Sequence, residues 1–309
     1  MTLPETNRFH GIYPSTLCPF REDYAIDVRT LEAHVSDLAT ISGITGILCN
    51  GHAGENFMLS REEKARVVRI SRQAMGARGL LVAGVVNEDS LAAAEEARDA
   101  AAAGADAVMI FAPFSWALSQ DEGTALRHHS IICAAVDRPV MLFQGSVRAG
   151  RMAYPPAVLG KLLSLPNLVA IKEGSWETAA YEATRRQVRA EAPHVAVMAS
   201  GDEHLLACCV LGSEGSLVSL AVLIPEVIVA LDAAVRRGDM TAARAAHDVV
   251  YPLARAIYGP PAGAAAVRLK VCLHLLGRLP NALTRPPSGP LDHQEVRALS
   301  RLLTQAGLQ

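Results

Sequence analysis

One lysine stands at the end of an apolar stretch, Leu168-Val169-Ala170-Ile171-Lys172-Glu173. Four apolar residues, two of them β-branched, predict a short buried strand, and lysine is rarely found in such a place. An apolar wall lowers the pKa of an amine and leaves it neutral, so that it can attack a carbonyl carbon. The alternative is a side chain that reaches from the strand end into solvent. Lys172 is therefore a candidate nucleophile.

The other three lysines lie in predicted helices. Lys64 belongs to a charged helical run and Lys161 to a short helix, so both are expected to face solvent. Lys270 lies in a late helix. Lys172 alone is expected to emerge from a core strand.

Two loops that follow predicted strands offer groups for an anion. Asn50-Gly51-His52-Ala53-Gly54-Glu55 contains two glycines, which permit a tight turn and present backbone N–H groups. The loop after Phe143 carries Arg148, whose planar guanidinium suits a carboxylate, with Arg151 as the alternative ligand. An amine for a carbonyl and these groups for a carboxylate predict a 2-oxo acid held as a Schiff base, with no other cofactor and no metal.

Strand-like and helix-like patterns alternate in eight successive pairs, from Ile12 to Arg236. The strand segments are nearly continuous apolar runs, such as Leu80–Val85, which is typical of parallel strands covered on both faces. Eight pairs predict a (β/α)8 barrel over residues 1–236, and later helical segments predict a helical extension over residues 237–309 packed on it. An open doubly wound sheet is the alternative, but no GxGxxG motif follows the first strand. In a barrel, Lys172 and both loops converge on one mouth.

Composition limits the partners. The 309 residues are 50% hydrophobic and carry a formal charge of -2, which gives no electrostatic reason to expect nucleic acid or an anionic membrane. No signal peptide is visible and no apolar run approaches the ~20 residues of a membrane helix. The six cysteines show no CxxC spacing. These observations predict a cytoplasmic protein with reduced cysteines and a small-molecule substrate.

Five motifs occur in a characteristic order along the chain: Gly11–Thr16 with Pro19-Phe20, Gly51–Glu55 with Leu59-Ser60, Ile171–Glu173, Ser200–Asp202 and Arg285–Pro287. From Gly11 to about Leu303 this ordered set resembles the dihydrodipicolinate synthase / N-acetylneuraminate lyase family of class I aldolases. The resemblance implies an imine at Lys172, Arg148 at the carboxylate of a pyruvate-type 2-oxo acid, and a homotetramer or dimer of dimers. It also implies a barrel with a C-terminal helical extension. The substrate-binding positions that we infer are Gly51, Ala53, Gly54, Phe143, Arg148, Ser115, Trp116 and Leu217.

The chain departs from the family pattern at positions that matter for proton transfer. The family usually has two hydroxyl residues where this chain has His52 and Ala53, and a proton-relaying tyrosine where it has Phe143. Because a phenyl ring cannot transfer a proton, His52 is the first candidate for this role and Tyr13 the second.

Ser115 stands where synthase members lend a tyrosine to the neighbouring subunit, so dihydrodipicolinate synthesis itself is not expected. Trp116 beside it is predicted to face the substrate, although a subunit interface would use it equally well. Glu55, Glu173 and Asp202 are expected to be structural hydrogen-bonding groups.

Three functional hypotheses remain at this point. The first is an imine-forming enzyme that makes or breaks a carbon–carbon bond by aldol chemistry. A dehydratase or hydratase-aldolase that uses the same imine is a close variant. The third, which the phenyl ring at Phe143 leaves open, is a barrel that binds a 2-oxo acid without turnover.

Overall fold

The computed structural model describes residues 8–119, 121–146 and 152–309 of the chain. Its eight strands form one parallel sheet in the order β1-β8-β7-β6-β5-β4-β3-β2. Parallel bridges from Ile12 to Ile44 and from Ser15 to Leu48 join the two ends of this sheet. The predicted (β/α)8 barrel is confirmed, and the open-sheet alternative is wrong. The strands are β1 Gly11–Pro14, β2 Gly46–Cys49, β3 Leu80–Val85, β4 Ala107–Ile110, β5 Val140–Gln144, β6 Leu168–Glu173, β7 Ala196–Ala199 and β8 Gly215–Val218.

Helices alternate with the strands and continue after the last one. Those between strands or directly after β8 are α1 Val28–Thr40, α2 Arg61–Met75, α3 Ser90–Ala102, α4 Trp116–Ser119, α5 Glu122–Cys133, α6 Pro156–Leu162, α7 Thr178–Glu191, α8 Leu205–Val210 and α9 Pro225–Arg236. The C-terminal helices are α10 Met240–Tyr258, α11 Ala265–Leu275 and α12 His293–Gln305. The short α4 was not predicted, because four residues carry no helical periodicity.

Side-chain caps fix where several helices begin. The Asp27 carboxylate accepts the Thr30 N–H at the start of α1. At the start of α2, Ser60 and Glu63 form a reciprocal capping box, which the sequence Ser60-Arg61-Glu62-Glu63 predicts, because a glutamate stands three residues after a serine. These caps end the loops that leave the strands, and so they limit how far each loop can move.

Alternation along the strands divides the core into two parts. In β6, Ala170 points into the barrel and Ile171 points outward to the helices. Because strand side chains alternate, Lys172 points to the inside and Glu173 to the outside. The barrel interior is packed mainly by Tyr13, Leu48, Val82, Met109, Met141, Ala170, Met198 and Leu217.

The C-terminal helices contact two loops of the barrel mouth. Helix α10 packs against α9 and against the 3-10 turn Asp202–His204, and α11 contacts the 3-10 turn His52–Gly54. One hydrophobic cluster joins residues of α10, α11 and α12 to the helices around the barrel. The division into residues 1–236 and 237–309 stays a prediction. In the described part of the chain, no helix is both long and apolar enough to cross a membrane.

Candidate active site

Lys172 lies in the mouth of the barrel with 6% of its surface exposed. Its Nζ is 5.7 Å from the centre of the Phe143 ring on the neighbouring strand. Burial lowers the pKa of Lys172 to about 8, and the charge of Asp202 acts in the opposite direction. With that pKa, about one amine in ten is neutral at pH 7, against roughly one in several thousand for an ordinary lysine. A neutral amine in an apolar setting is a nucleophile for a carbonyl carbon.

Two acidic side chains near Lys172 are occupied by hydrogen bonds. Asp202 is buried and accepts the Leu220 N–H at 3.0 Å; burial raises its pKa to about 6, although this N–H and Lys172 lower it. Glu173 faces away from the barrel interior and accepts the Ser175 hydroxyl at 2.9 Å, and burial raises its pKa to about 7. Both carboxyls therefore make the structural hydrogen bonds that we expected of them.

The glycine loop forms a tight turn against the end of β1. The Gly54 N–H donates to the Gly51 carbonyl and the Glu55 N–H to the His52 carbonyl, each at 3.0 Å. A Cβ on Gly51 would lie 2.7 Å from the Ser15 hydroxyl oxygen, so a larger residue there would displace the Ser15 side chain. The first amides of such a turn have no acceptor within the turn, which leaves them available to an anion.

Glu55 fastens this turn to the C-terminal part of the chain. Its backbone is in the left-handed region, with φ of 54°, and its carboxylate is buried. The carboxylate accepts Lys270 Nζ at 2.5 Å and the Arg285 N–H at 3.1 Å. Lys270 in turn donates to the Leu283 carbonyl at 2.7 Å. Through Glu55, α11 and the segment after it hold the glycine loop in place.

His52 stands among aromatic rings at the mouth. Its ring centre is 4.5 Å from that of Phe111, 4.8 Å from that of Phe57 and 5.2 Å from that of Phe143. Desolvation by these neighbours and the positive charge of Lys172 both lower the pKa of His52. Although the residue is exposed, its imidazole is therefore neutral at neutral pH. A neutral imidazole can both donate and accept a proton.

An apolar cleft opens beside His52. We call it the aromatic cleft; it is lined by His52, Phe111, Ala112, Phe114, Phe143, Gly145 and Met152. The Glu88 carboxylate holds its outer wall, accepting the Phe114 N–H at 2.6 Å and the Ser115 N–H at 2.9 Å. Burial opposes ionisation of Glu88, but these hydrogen bonds hold its pKa below the usual value.

Two predicted site residues, Tyr13 and Trp116, do not face the substrate region at the barrel mouth. Tyr13 is fully buried, and the polar groups that act on its phenol are Thr45, Arg8 and Asp106. Because Thr45 and Asp106 directly precede the ladders of β2 and β4, the hydroxyl points to the end of the barrel opposite Lys172. Tyr13 therefore cannot relay protons at Lys172, and the prediction of a catalytic Tyr13 is wrong.

Trp116 is also placed differently from the prediction. It is fully buried, and its ring packs at a tilt against that of Tyr154, with 5.3 Å between the ring centres. Its indole N–H donates to the Asp121 carbonyl at 3.1 Å. Helix α4 turns this side chain into the outer core, and it does not face a substrate. Phe114, two residues earlier, lines the cleft instead.

The roles of the remaining predicted substrate-binding residues stay predictions. Ser115 is exposed at the outer wall, where its N–H binds Glu88. Leu217 is fully buried in the barrel interior. Ala53 is buried within the glycine loop. Arg148 and Arg151 lie outside the described residues.

Lys64 departs from the expectation that it faces solvent. It is buried, and its Nζ donates to the Glu96 carboxylate at 2.9 Å and to the Val86 carbonyl at 2.8 Å. The charged run around Lys64 gave no sign of this, because the partner lies 32 residues away on α3.

Ser15 is a polar residue that the sequence treated only as part of a motif. It is buried, and its hydroxyl has no hydrogen-bond partner among the residues that the structure describes. It lies directly against Gly51. The period of two along β1 is the signal that could have found it, since Ser15 follows the inward-facing Tyr13 by two residues.

Comparison with known proteins places the chain in a family. A model of the Dihydrodipicolinate synthetase family matches residues 8–306. The putative 2-dehydro-3-deoxy-D-gluconate aldolase YagE of Escherichia coli strain K12 is 27% identical over 306 residues, which cover 99% of this chain and 100% of that protein. The 4-hydroxy-tetrahydrodipicolinate synthase of Moorella thermoacetica is 30% identical over 301 residues, which cover 96% and 98%.

A solved structure agrees with these relatives. The crystal structure of YagE in complex with pyruvate matches with a TM-score of 0.89 at 26% identity, and the match covers 97% of this chain and 99% of that one. The family match spans nearly the whole chain, and the barrel and its C-terminal helices are shared. The chain therefore belongs to the dihydrodipicolinate synthetase family, and it is an enzyme of the class I aldolase type.

Proposed function

We propose that the protein is a Schiff-base lyase or synthase that condenses Lys172 with a pyruvate-type 2-oxo acid and then makes or breaks a carbon–carbon bond. The observation that carries this proposal is the buried Lys172 amine, with its pKa lowered to about 8, at the mouth where the glycine loop turns. Pyruvate bound to the relative YagE supports the choice of substrate class.

The chemistry follows from the neutral amine. Nζ of Lys172 attacks C2 of the 2-oxo acid, and loss of water gives an imine. Removal of a C3 proton gives an enamine, whose C3 attacks the carbonyl carbon of an aldehyde. Water then hydrolyses the product imine and returns the free lysine. The reverse sequence cleaves a 4-hydroxy-2-oxo acid into the same two parts.

The carboxylate of the 2-oxo acid needs donors near Lys172. The amides that open the turn at His52 and Ala53 and the buried Ser15 hydroxyl are suited to this part. Arg148 stays a predicted further partner. Donors that are held before the substrate arrives bind the anion without further ordering cost, and Glu55 fastens this loop.

Proton transfer at the enamine is assigned to His52, since Phe143 carries no titratable group. The neutral imidazole is next to the Phe143 ring and feels the charge of Lys172, so it is close to the reacting carbons. It can accept a proton from one atom and donate it to another. A dehydratase or hydratase-aldolase reaction would use the same imine and the same histidine.

Reductive trapping tests the proposal. The protein is incubated with pyruvate and sodium borohydride, digested, and weighed by mass spectrometry. We expect a reduced pyruvate adduct on the peptide that contains Lys172. A Lys161→Met variant, which lacks an exposed lysine, should trap equally well, and Lys172→Met should not trap. Reversible binding of pyruvate with no reducible adduct would favour a barrel that binds a 2-oxo acid without turnover.

The assembly is a separate expectation. A homotetramer or dimer of dimers, implied by the resemblance, stays a prediction that light scattering of the purified protein can test.

A further inference from the structure

The aromatic cleft provides surface for apolar contact and very little for hydrogen bonding. Among its described lining residues, His52 alone carries a polar side-chain atom, and none carries a full charge at neutral pH. Phe111 and Phe143 face each other at 4.8 Å between ring centres, and Phe57 and Phe114 continue the same wall outward at 5.1 Å. The wall consists of tilted rings, which is an arrangement that accommodates another flat ring.

The cleft is adjacent to the amine that we assign to the 2-oxo acid. Phe143 lines the cleft and also stands 5.7 Å from Lys172 Nζ. An enamine on Lys172 would therefore meet its second substrate at this wall. The glycine loop provides the donors for the carboxylate, so the cleft is free to hold the other reactant.

A polar second substrate would fit this wall poorly. Each hydroxyl or carboxylate that leaves water without a new partner costs binding energy. A polyhydroxylated aldehyde would find only His52 as a polar side chain in the described lining. A flat apolar substituent loses no hydrogen bond on entry and gains contact with the rings.

Hydrogen bonds hold part of this wall in place. Glu88 holds the backbone of Phe114 and Ser115 by two hydrogen bonds, and Phe111 is buried beneath them. A preformed apolar wall favours a rigid ligand of matching shape, because little further ordering is needed.

We propose that the second substrate is an aldehyde with an aromatic or similarly flat apolar substituent, and not a polyhydroxylated aldehyde. This inference rests on the proposed function and specifies its electrophile. C3 of the enamine forms a bond to the aldehyde carbon, and the aldehyde π-electron pair moves to its oxygen, which takes up a proton. Hydrolysis of the imine releases a 4-aryl-4-hydroxy-2-oxobutanoate, and no oxidant or reductant is consumed.

The test compares matched aldehydes on enzyme that has already been shown to trap pyruvate at Lys172. Pyruvate consumption is measured with benzaldehyde, glyceraldehyde and succinic semialdehyde, and the products are weighed. We expect kcat/KM for benzaldehyde to exceed that for either polar aldehyde by at least about tenfold, since an apolar ring gains on the order of one decade from such contact.

Two variants separate the cleft from the general reactivity of the aldehydes. Phe114→Ser removes one exposed ring of the wall and should raise KM for benzaldehyde about five- to tenfold, with pyruvate trapping unchanged. Leu118→Ser is the matched control, because Leu118 is 85% exposed and does not line the cleft. It should leave that KM unchanged.

The possible failures are distinguishable. Absence of any borohydride adduct with a 2-oxo acid would overturn the proposed function itself. A normal pyruvate adduct together with preference for a polar aldehyde, or with turnover of none of the three, would overturn the aromatic-substrate inference alone. If Phe114→Ser changes the oligomeric state in light scattering and leaves KM unchanged, the wall is a subunit interface and the inference is also wrong.

Discussion

Two buried lysines, Lys172 and Lys270, occupy opposite kinds of surroundings. Lys270 is 1% exposed and its Nζ touches the Glu55 carboxylate at 2.5 Å, with the Phe20 ring 4.3 Å away. Lys172 is 6% exposed and faces the Phe143 ring, with the charge of Asp202 acting on it. Burial lowers the pKa of both, but among the residues that the structure describes, a carboxylate is in direct contact with Lys270 and none with Lys172.

The comparison teaches that burial by itself does not make an amine reactive. Lys64 is buried as well, and it is held by Glu96 in the manner of Lys270. A paired ammonium keeps its proton and serves structure, whereas an amine without a direct anionic contact gives it up more readily. The difference between the three lysines lies in the partner, and the partners come from distant parts of the chain.

The largest effect is expected for Lys172→Met, which removes the proposed nucleophile. Turnover should fall by at least about 10⁴-fold and the borohydride adduct should disappear. Because burying an amine is costly, the free energy of unfolding should stay equal or rise by about 1–3 kcal/mol at pH 7. Trapping, steady-state kinetics and denaturant unfolding measure the three quantities. Retained trapping would place the reactive amine elsewhere and end the comparison.

The opposite result is expected for Lys270→Met. This change leaves the Glu55 carboxylate buried without its cation, and we expect a loss of about 3–5 kcal/mol in the free energy of unfolding. The double variant Glu55→Gln/Lys270→Met should recover part of it, since no charge is then left unpaired. Lys161→Met, at an exposed ion pair, should change stability by less than about 1 kcal/mol. Equal losses for Lys270→Met and Lys161→Met would show that burial of an ion pair does not decide how much it stabilises the fold.

Substitutions of His52 test whether this residue transfers protons at the barrel mouth beside Lys172. His52→Phe keeps a ring in the cleft but removes proton transfer, so turnover should fall by about 10²- to 10³-fold while the pyruvate adduct still forms. His52→Ala should behave in the same way. Rates are measured with trapping on the same samples. If neither variant changes the rate, His52 has no part in the mechanism.

The smallest effect is the pH dependence of imine formation. A lysine pKa lowered to about 8 means that the neutral amine increases as pH rises through 8 and then levels off. The rate of trapping should therefore rise about tenfold between pH 7 and pH 9. Asp202→Asn removes a charge that raises this pKa, and should move the inflection to lower pH. An inflection near the ordinary lysine value would contradict a desolvated amine.

Local patterns were enough for the architecture and for the position of Lys172. The near-continuous apolar strands and the capping box at Ser60 are short-range signals, and the structure confirms both. The errors have a common origin. Tyr13, Trp116 and Lys64 were judged by their neighbours in sequence, whereas the direction of each side chain is set by packing against residues far along the chain.

The sequence by itself therefore determined the barrel, the family and the strand that carries Lys172, because hydrophobic periodicity and motif order are properties of consecutive residues. Only the tertiary structure decided which lysines are paired, that Tyr13 points to the far end of the barrel, and that Phe114 lines the cleft where Trp116 was expected. These outcomes depend on contacts between residues such as Glu55 and Lys270, 215 positions apart, which bring a carboxylate to one buried amine.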